Sequence, residues 1–156
     1  MTAIQDKMPE NNCYGCGPNN THGMQIKSHW DGDESVCRYM PKPEQCAGPP
    51  QYVYGGTIAS LIDCHSVGTA ISNYYRSEGR DTGEPPEIWC VTGRLTVNYL
   101  APTPIDQEIE LRARIEECGE KKSIVSCEVF SGGIQTASGE VIAVRVPDSW
   151  KNRQAR

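Results

Sequence analysis

Between Gly56 and Tyr75 the sequence carries one formal charge, Asp63. Projected at 100° per residue, Ile58, Leu61 and Ile62 fall on one side of this stretch, and Ala59, Val67, Ala70 and Tyr74 on the other. A helix that is apolar on all sides is a buried one. At 1.5 Å per residue it spans about 30 Å, enough to cross a whole domain. The rest of the chain must therefore wrap around it. Asp63 is costly in that setting unless it is paired, hydrogen-bonded or protonated. No Lys or Arg lies within four residues of it, so any partner comes from another element. The aspartate is either a structural group, at an exposed helix edge or on a neighbouring backbone, or a functional one.

What does the wrapping is a set of strands. Arg94, Thr96 and Asn98 alternate with Leu95, Val97 and Tyr99, and Arg112 and Arg114 with Leu111, Ala113 and Ile115. A period of two marks strands with one buried face. Strands are predicted over Met24–Trp30, Ser35–Met40, Ile88–Leu100, Ile105–Glu116, Ser123–Phe130 and Val141–Val146. Asp31-Gly32-Asp33 joins the first two as a hairpin turn. Pro41–Pro50 and Arg76–Pro86 are rich in proline and glycine and read as loops. Short spacers between strands imply antiparallel neighbours. The fold class is α+β, one long central helix with five to six antiparallel strands. At 156 residues the chain is expected to hold one domain, 13–147, between a flexible tail over 1–12 and a C-terminal tail over 148–156.

With 20 Asp+Glu against 15 Lys+Arg, the net charge of −5 argues against a general nucleic-acid binder. No apolar run is long enough to span a membrane. The first residues lack the apolar core of a secretory signal, so a cytoplasmic location is expected. In that compartment the eight cysteines are read as thiols, most of them buried small hydrophobes. Only Cys13 and Cys16 form a close pair, and Gly15, Gly17 and Pro18 place it in a loop. A zinc site needs about four ligands, usually from two such pairs. No second pair follows, so no metal and no cofactor are expected.

Around Asp63 at helical spacing stand Ala59, Ser60, Ser66, Val67 and Ala70, mostly small. Small residues let a backbone or a thin ligand come close. Gly55 and Gly56 open the helix, where free N–H groups and the positive dipole end coincide. Backbone donors aimed at one spot are the parts of an oxyanion hole. With a carboxylate, they suit hydrolysis of an activated carbonyl compound. His65 projects about 200° from Asp63 and reads as a satisfied core or interface histidine. Cys64 and His65 are neighbours on a helix and do not face each other, which argues against a Cys-His nucleophile.

Three stretches carry a family resemblance. Gly55-Gly56 followed at Asp63 resembles the signature of the PaaI-like acyl-CoA thioesterases of the hotdog superfamily: a histidine, two glycines, then an aspartate after six residues. Thr92–Pro102 resembles the strand that follows that helix, and Cys13–Met24 is similar to the opening of one branch. The likeness runs from about 13 to 146. It implies the hotdog fold and a homodimer, with a homotetramer built as a dimer of dimers left open. It further implies an active site at the dimer interface that hydrolyses an acyl-CoA or related thioester. By position Asp63 would be general base or nucleophile, Gly55, with Gly56 beside it, the oxyanion donor of the other subunit, and Thr92 a group that places water. Substrate would meet Tyr54, Cys46, Gly48, Ser66, Val67 and Arg94, with Lys121 and Lys122 on the coenzyme A phosphates.

Tyr54 stands where the family usually has His, and Cys46-Ala47-Gly48 where His-Gln-Gly or a variant is common. That departure motivates a second reading, a non-catalytic dimer that binds acyl-CoA or another acyl ligand. A hotdog dehydratase is a third, but such relatives work with a His and an acidic residue, a pairing not evident here.

Overall fold

The computed structural model describes residues 1–151. Helix α1 runs Gly55–Ser77, slightly longer at both ends than the pattern predicts. Its C-terminus is closed by Gly79 at φ 68°, with Gly79 N–H donating to Arg76 O (3.1 Å) and Arg80 N–H to Tyr75 O (2.9 Å). A left-handed glycine with these two bonds satisfies carbonyls that the ending helix leaves free. Ile58, Leu61, Ile62, Ala70, Ile71, Tyr74 and Tyr75 are all buried, so the helix is enclosed as its sequence demands.

The strands are β1 (Ser28–Asp31), β2 (Glu34–Tyr39), β3 (Cys90–Tyr99), β4 (Ile109–Cys118), β5 (Lys122–Ser131) and β6 (Ile134–Arg145). They form one six-stranded antiparallel sheet in the order β1-β2-β4-β5-β6-β3. The sheet curves around α1 in the hotdog arrangement. Alternate residues face the helix: Ile109, Leu111 and Ala113 on β4, Val125, Cys127 and Val129 on β5, and Val141 and Ala143 on β6 are buried. The β5–β6 hairpin turns on Gly132 and Gly133, both at positive φ, as a tight two-residue turn requires. β6 begins seven residues before the predicted Val141, because Ile134–Glu140 is paired with β5 and, from Ala137 on, with β3 as well, despite its weak apolar alternation.

The N-terminal residues differ from the expected flexible tail. Gln5–Lys7 form a 3₁₀ turn, and Ala3, Ile4, Gln5, Met8 and Asn11 are buried. Ile4 N–H donates to Ser28 O at 2.8 Å, and Gln5 Nε2 donates to Ser28 Oγ at 3.0 Å. Ile4 and Met8, four residues apart, provide the apolar contact that docks the segment. At the other end Asp148–Lys151 form a short helix, α2. The remainder of the expected C-terminal tail, 152–156, lies outside the described residues.

Candidate active site

Asp63 lies mid-way along α1 and is partly buried. Its partner comes from β3: Thr92 Oγ1 donates to Asp63 Oδ1 at 2.5 Å. A bulge at Gly93 shifts the β3–β6 register between Thr92 and Arg94, and such bulges re-aim neighbouring side chains. Burial lifts the Asp63 carboxyl above its ordinary range, and the Thr92 hydroxyl opposes that shift by bonding the charged form.

The pair lines a cavity of about 290 Å³. Along α1 its wall is Asp63, Cys64, Val67, Gly68 and Ile71, a stripe at helical spacing. β3 and the residue before it contribute Trp89, Cys90, Val91 and Thr92. The third wall is the N-terminal segment, with Gln5, Met8, Asn11, Cys13 and Cys16. The sequence showed Asp63, Thr92 and Val67 as candidates; it did not show Trp89 or the N-terminal wall.

Gly55 and Gly56 open α1, and among the described residues no hydrogen bond uses either N–H. Tyr99 Oη donates to Gly55 O at 2.6 Å. The Tyr54 ring lies over Gly56, where an added Cβ would meet Cε1 at 2.3 Å. Any side chain at 56 would displace that ring. Gly55 and Asp63 are eight residues apart on one helix, about 12 Å along its axis. Gly55 lines a separate cleft with Val53, Ile58, Tyr99 and Leu100. One chain therefore cannot bring both groups to the same carbonyl.

The remaining candidates scatter. Cys46 pairs with Val53 in an isolated bridge near the helix start, and Gly48 is exposed beside it. Ser66 is fully buried and does not line the cavity. Arg94 is exposed on β3. Lys121 lies in a neighbouring groove with Arg145 and Lys151, and Trp89 lines both this groove and the Asp63 cavity. Lys122 is exposed at the start of β5, opposite Val144. His65 points away from Asp63 into the core. Its Nδ1 is 2.7 Å from Ser28 Oγ and its Nε2 3.1 Å from Ser35 O. Burial lowers its pKa to about 4, so it is held neutral.

The structure adds a third thiol to the Cys13–Cys16 pair. The sulfurs of Cys13, Cys16 and Cys64 all lie within 4.8 Å of one another, and Cys13 Sγ is 3.7 Å from Cys64 Sγ. Bonds from Cys16 and Cys64 pull the Cys13 thiol far below its ordinary value, and those two are pushed up in turn. Sequence spacing could not show this, because Cys64 is distant along the chain and comes from the helix.

The sequence model of the Thioesterase superfamily matches residues 50–138, more than half of the chain and the span from just before α1 into the first half of β6. The chain belongs to the thioesterase superfamily. A thioesterase superfamily protein from Shewanella loihica is 38% identical, covering 83% of this chain and 97% of that one, with a TM-score of 0.63. The E. coli PaaI protein of the phenylacetic acid degradation operon shares the fold at 15% identity, covering 80% of this chain and 81% of that one, with a TM-score of 0.64. A Streptococcus mutans protein bound to acetyl CoA shares it at 14% identity, covering 78% and 88% of the two chains, with a TM-score of 0.62. An acyl-coenzyme A thioesterase of Xenopus laevis, THEM4, is 29% identical over 96 residues, 62% of this chain. This thioesterase-superfamily chain spans about a third of that relative's length, 37%.

Proposed function

We propose that the protein is an acyl-CoA thioesterase that hydrolyses an acyl-CoA, or a related acyl thioester, to the free acid and CoA. The observation that carries this reading is the Asp63–Thr92 bond at the wall of a largely apolar cavity. Asp63 acts as general base on water or as nucleophile, with the Thr92 bond to Oδ1 fixing the orientation of the carboxylate. The thioester carbonyl takes its oxyanion donor from Gly55 N–H. Because 12 Å or so separates Gly55 from Asp63 in one chain, the donor belongs to a second copy. β3 is a free sheet edge, and Val91, Tyr99 and Leu100 on and beside it, with Tyr54 nearby, are exposed. An open apolar edge of that length invites pairing with another chain, which supports a homodimer. The acyl group would lie against Val67, Ile71, Met8 and Trp89. Lys121, Arg145 and Lys151 in the adjoining groove suit the CoA phosphates. The eight thiols fit a reducing compartment such as the cytoplasm.

The test is Asp63→Asn assayed by thiol release on a panel of aliphatic and aromatic acyl-CoA substrates. kcat is expected to fall about 10²–10⁴-fold while thermal stability holds. Near-wild-type turnover would remove Asp63 from the mechanism. A second reading, an acyl-CoA-binding dimer without turnover, is motivated by the Tyr54 ring over Gly56 at the helix opening. It expects saturable acyl-CoA binding with no thiol release from the wild-type protein.

A further inference from the structure

The Cys13–Cys16 turn is pressed against α1 by a specific close approach. Gly15, between the two cysteines, lies so near the helix that an added Cβ would meet Cys64 Sγ at 2.2 Å. The turn is held from both sides. Cys13 N–H donates to Asn11 Oδ1 at 3.0 Å, Gly17 N–H to Cys13 O at 2.8 Å, and Ile26 N–H to Gly15 O at 3.0 Å. Asn11 Nδ2 also donates to Cys16 Sγ at 3.7 Å. Three thiols thus converge from two elements, in a framework that does not need them for its own closure.

Their spacing is that of one ion. A tetrahedral zinc with Zn–S bonds of about 2.3 Å sets sulfur–sulfur edges of about 3.8 Å. Cys13 and Cys64 are already at 3.7 Å, and Cys16 lies within 4.8 Å of both. We infer that Cys13, Cys16 and Cys64 form a zinc site whose fourth corner opens to the cavity and takes a water. Soft sulfur ligands select zinc or Cu(I) over magnesium and calcium, and three protein ligands with a water in the fourth place make a tetrahedron that zinc adopts. The ion replaces the remaining thiol protons, which pass to solvent, so no oxidant or reductant is involved. Three thiolates outweigh the ion's charge and leave it a weak Lewis acid beside Asp63. Its role is therefore to clamp the N-terminal wall of the cavity onto α1. This goes beyond the thioesterase reading and does not depend on it. It also revises the sequence expectation of no metal, because the third ligand is delivered by the fold.

The test is metal content and metal spectroscopy of full-length protein, purified with a thiol reductant and no chelator. The expected result is one zinc per chain. After its removal, Co²⁺ added to the reduced protein should give thiolate-to-cobalt charge transfer and the intense visible bands of a tetrahedral site. Cys64→Ser should lose zinc and the charge-transfer band, whereas Cys118→Ser, an exposed thiol at the end of β4, should keep both. Zinc added to the metal-free wild type should raise its melting temperature. Reduced wild-type protein that carries no zinc and gives no cobalt charge transfer would overturn the site, whatever the variants do. So would equal metal binding by Cys64→Ser and Cys118→Ser.

Discussion

At the residue scale, Thr92 on β3 and His65 on α1 have opposite fates. Among the described residues, Thr92 makes its one side-chain bond to Asp63. Thr92→Val keeps the shape and removes the hydroxyl. Misplacing a catalytic group by about 1 Å can cost about 10²-fold, so kcat should fall about ten- to a hundredfold, and the melting temperature should drop modestly because the partly buried carboxylate loses a donor. Kinetics and calorimetry on one preparation check it. His65, two residues from Asp63, should behave the other way. It bonds Ser28 and Ser35 in a fully buried setting. His65→Leu leaves those groups short of a partner and should cost about 1–3 kcal/mol of stability while turnover survives. Loss of turnover with stability intact would mean that His65 has a chemical role. The sequence already separated Asp63 from His65, because Asp63 is the one charge in an apolar helix and His65 projects elsewhere. Cys64 was not legible in that way, since its partners are defined only by the folding of a loop onto the helix.

At the scale of elements, the helix and sheet were legible because their periodicities are plain, and the misses have physical causes. The start of β6 lacks an apolar alternation and is a strand because β5 pairs with it from Ile134 and β3 from Ala137. The first twelve residues look polar, yet Ile4 and Met8 are enough to seat them. The β2–β4 pairing also contains a charge ladder. Arg112 contacts Glu34 at 3.0 Å and Glu110 at 2.8 Å, and Arg114 pairs with Glu34 as well. Bonds from Arg114 and then Arg112 hold the Glu34 carboxyl below the usual glutamate range. Its folded pKa is the lower one, so its contribution is complete above the unfolded value of about 4.3 and is lost as pH falls through the folded one. Glu34→Gln should therefore flatten the acid limb of the stability curve and cost at most about 1 kcal/mol near neutrality, because the ladder faces solvent. Urea unfolding at several pH values measures both effects. An unchanged acid limb would show that the ladder contributes nothing.

At the scale of the whole molecule, the proposed site is divided between two copies, and that division can be tested by mixing. Gly55 is the first helical residue, where proline is well suited, and Tyr54 before it is already extended at φ −60° and ψ 134°. Gly55→Pro thus deletes the N–H and spares the helix, and should cost about 10²–10³-fold in kcat. Unfolded and remixed one to one, Gly55→Pro and Asp63→Asn chains should recover about a quarter of wild-type activity, since half the dimers are mixed and each mixed dimer has one intact site of two. No recovery, with mixed dimers demonstrated by mass, would place both groups in a single chain. The N-terminal wall carries a different consequence. Gln5, Met8 and Asn11 close one side of the cavity, yet they belong to no strand of the sheet. The sheet's strand pairing does not run through them. Met8, which makes no side-chain hydrogen bond among the described residues, is the position there where a lineage, or an engineer, can reshape the proposed acyl cavity at the cost of one docking contact, whereas Gln5 and Asn11 are tied by hydrogen bonds to Ser28 and Cys13.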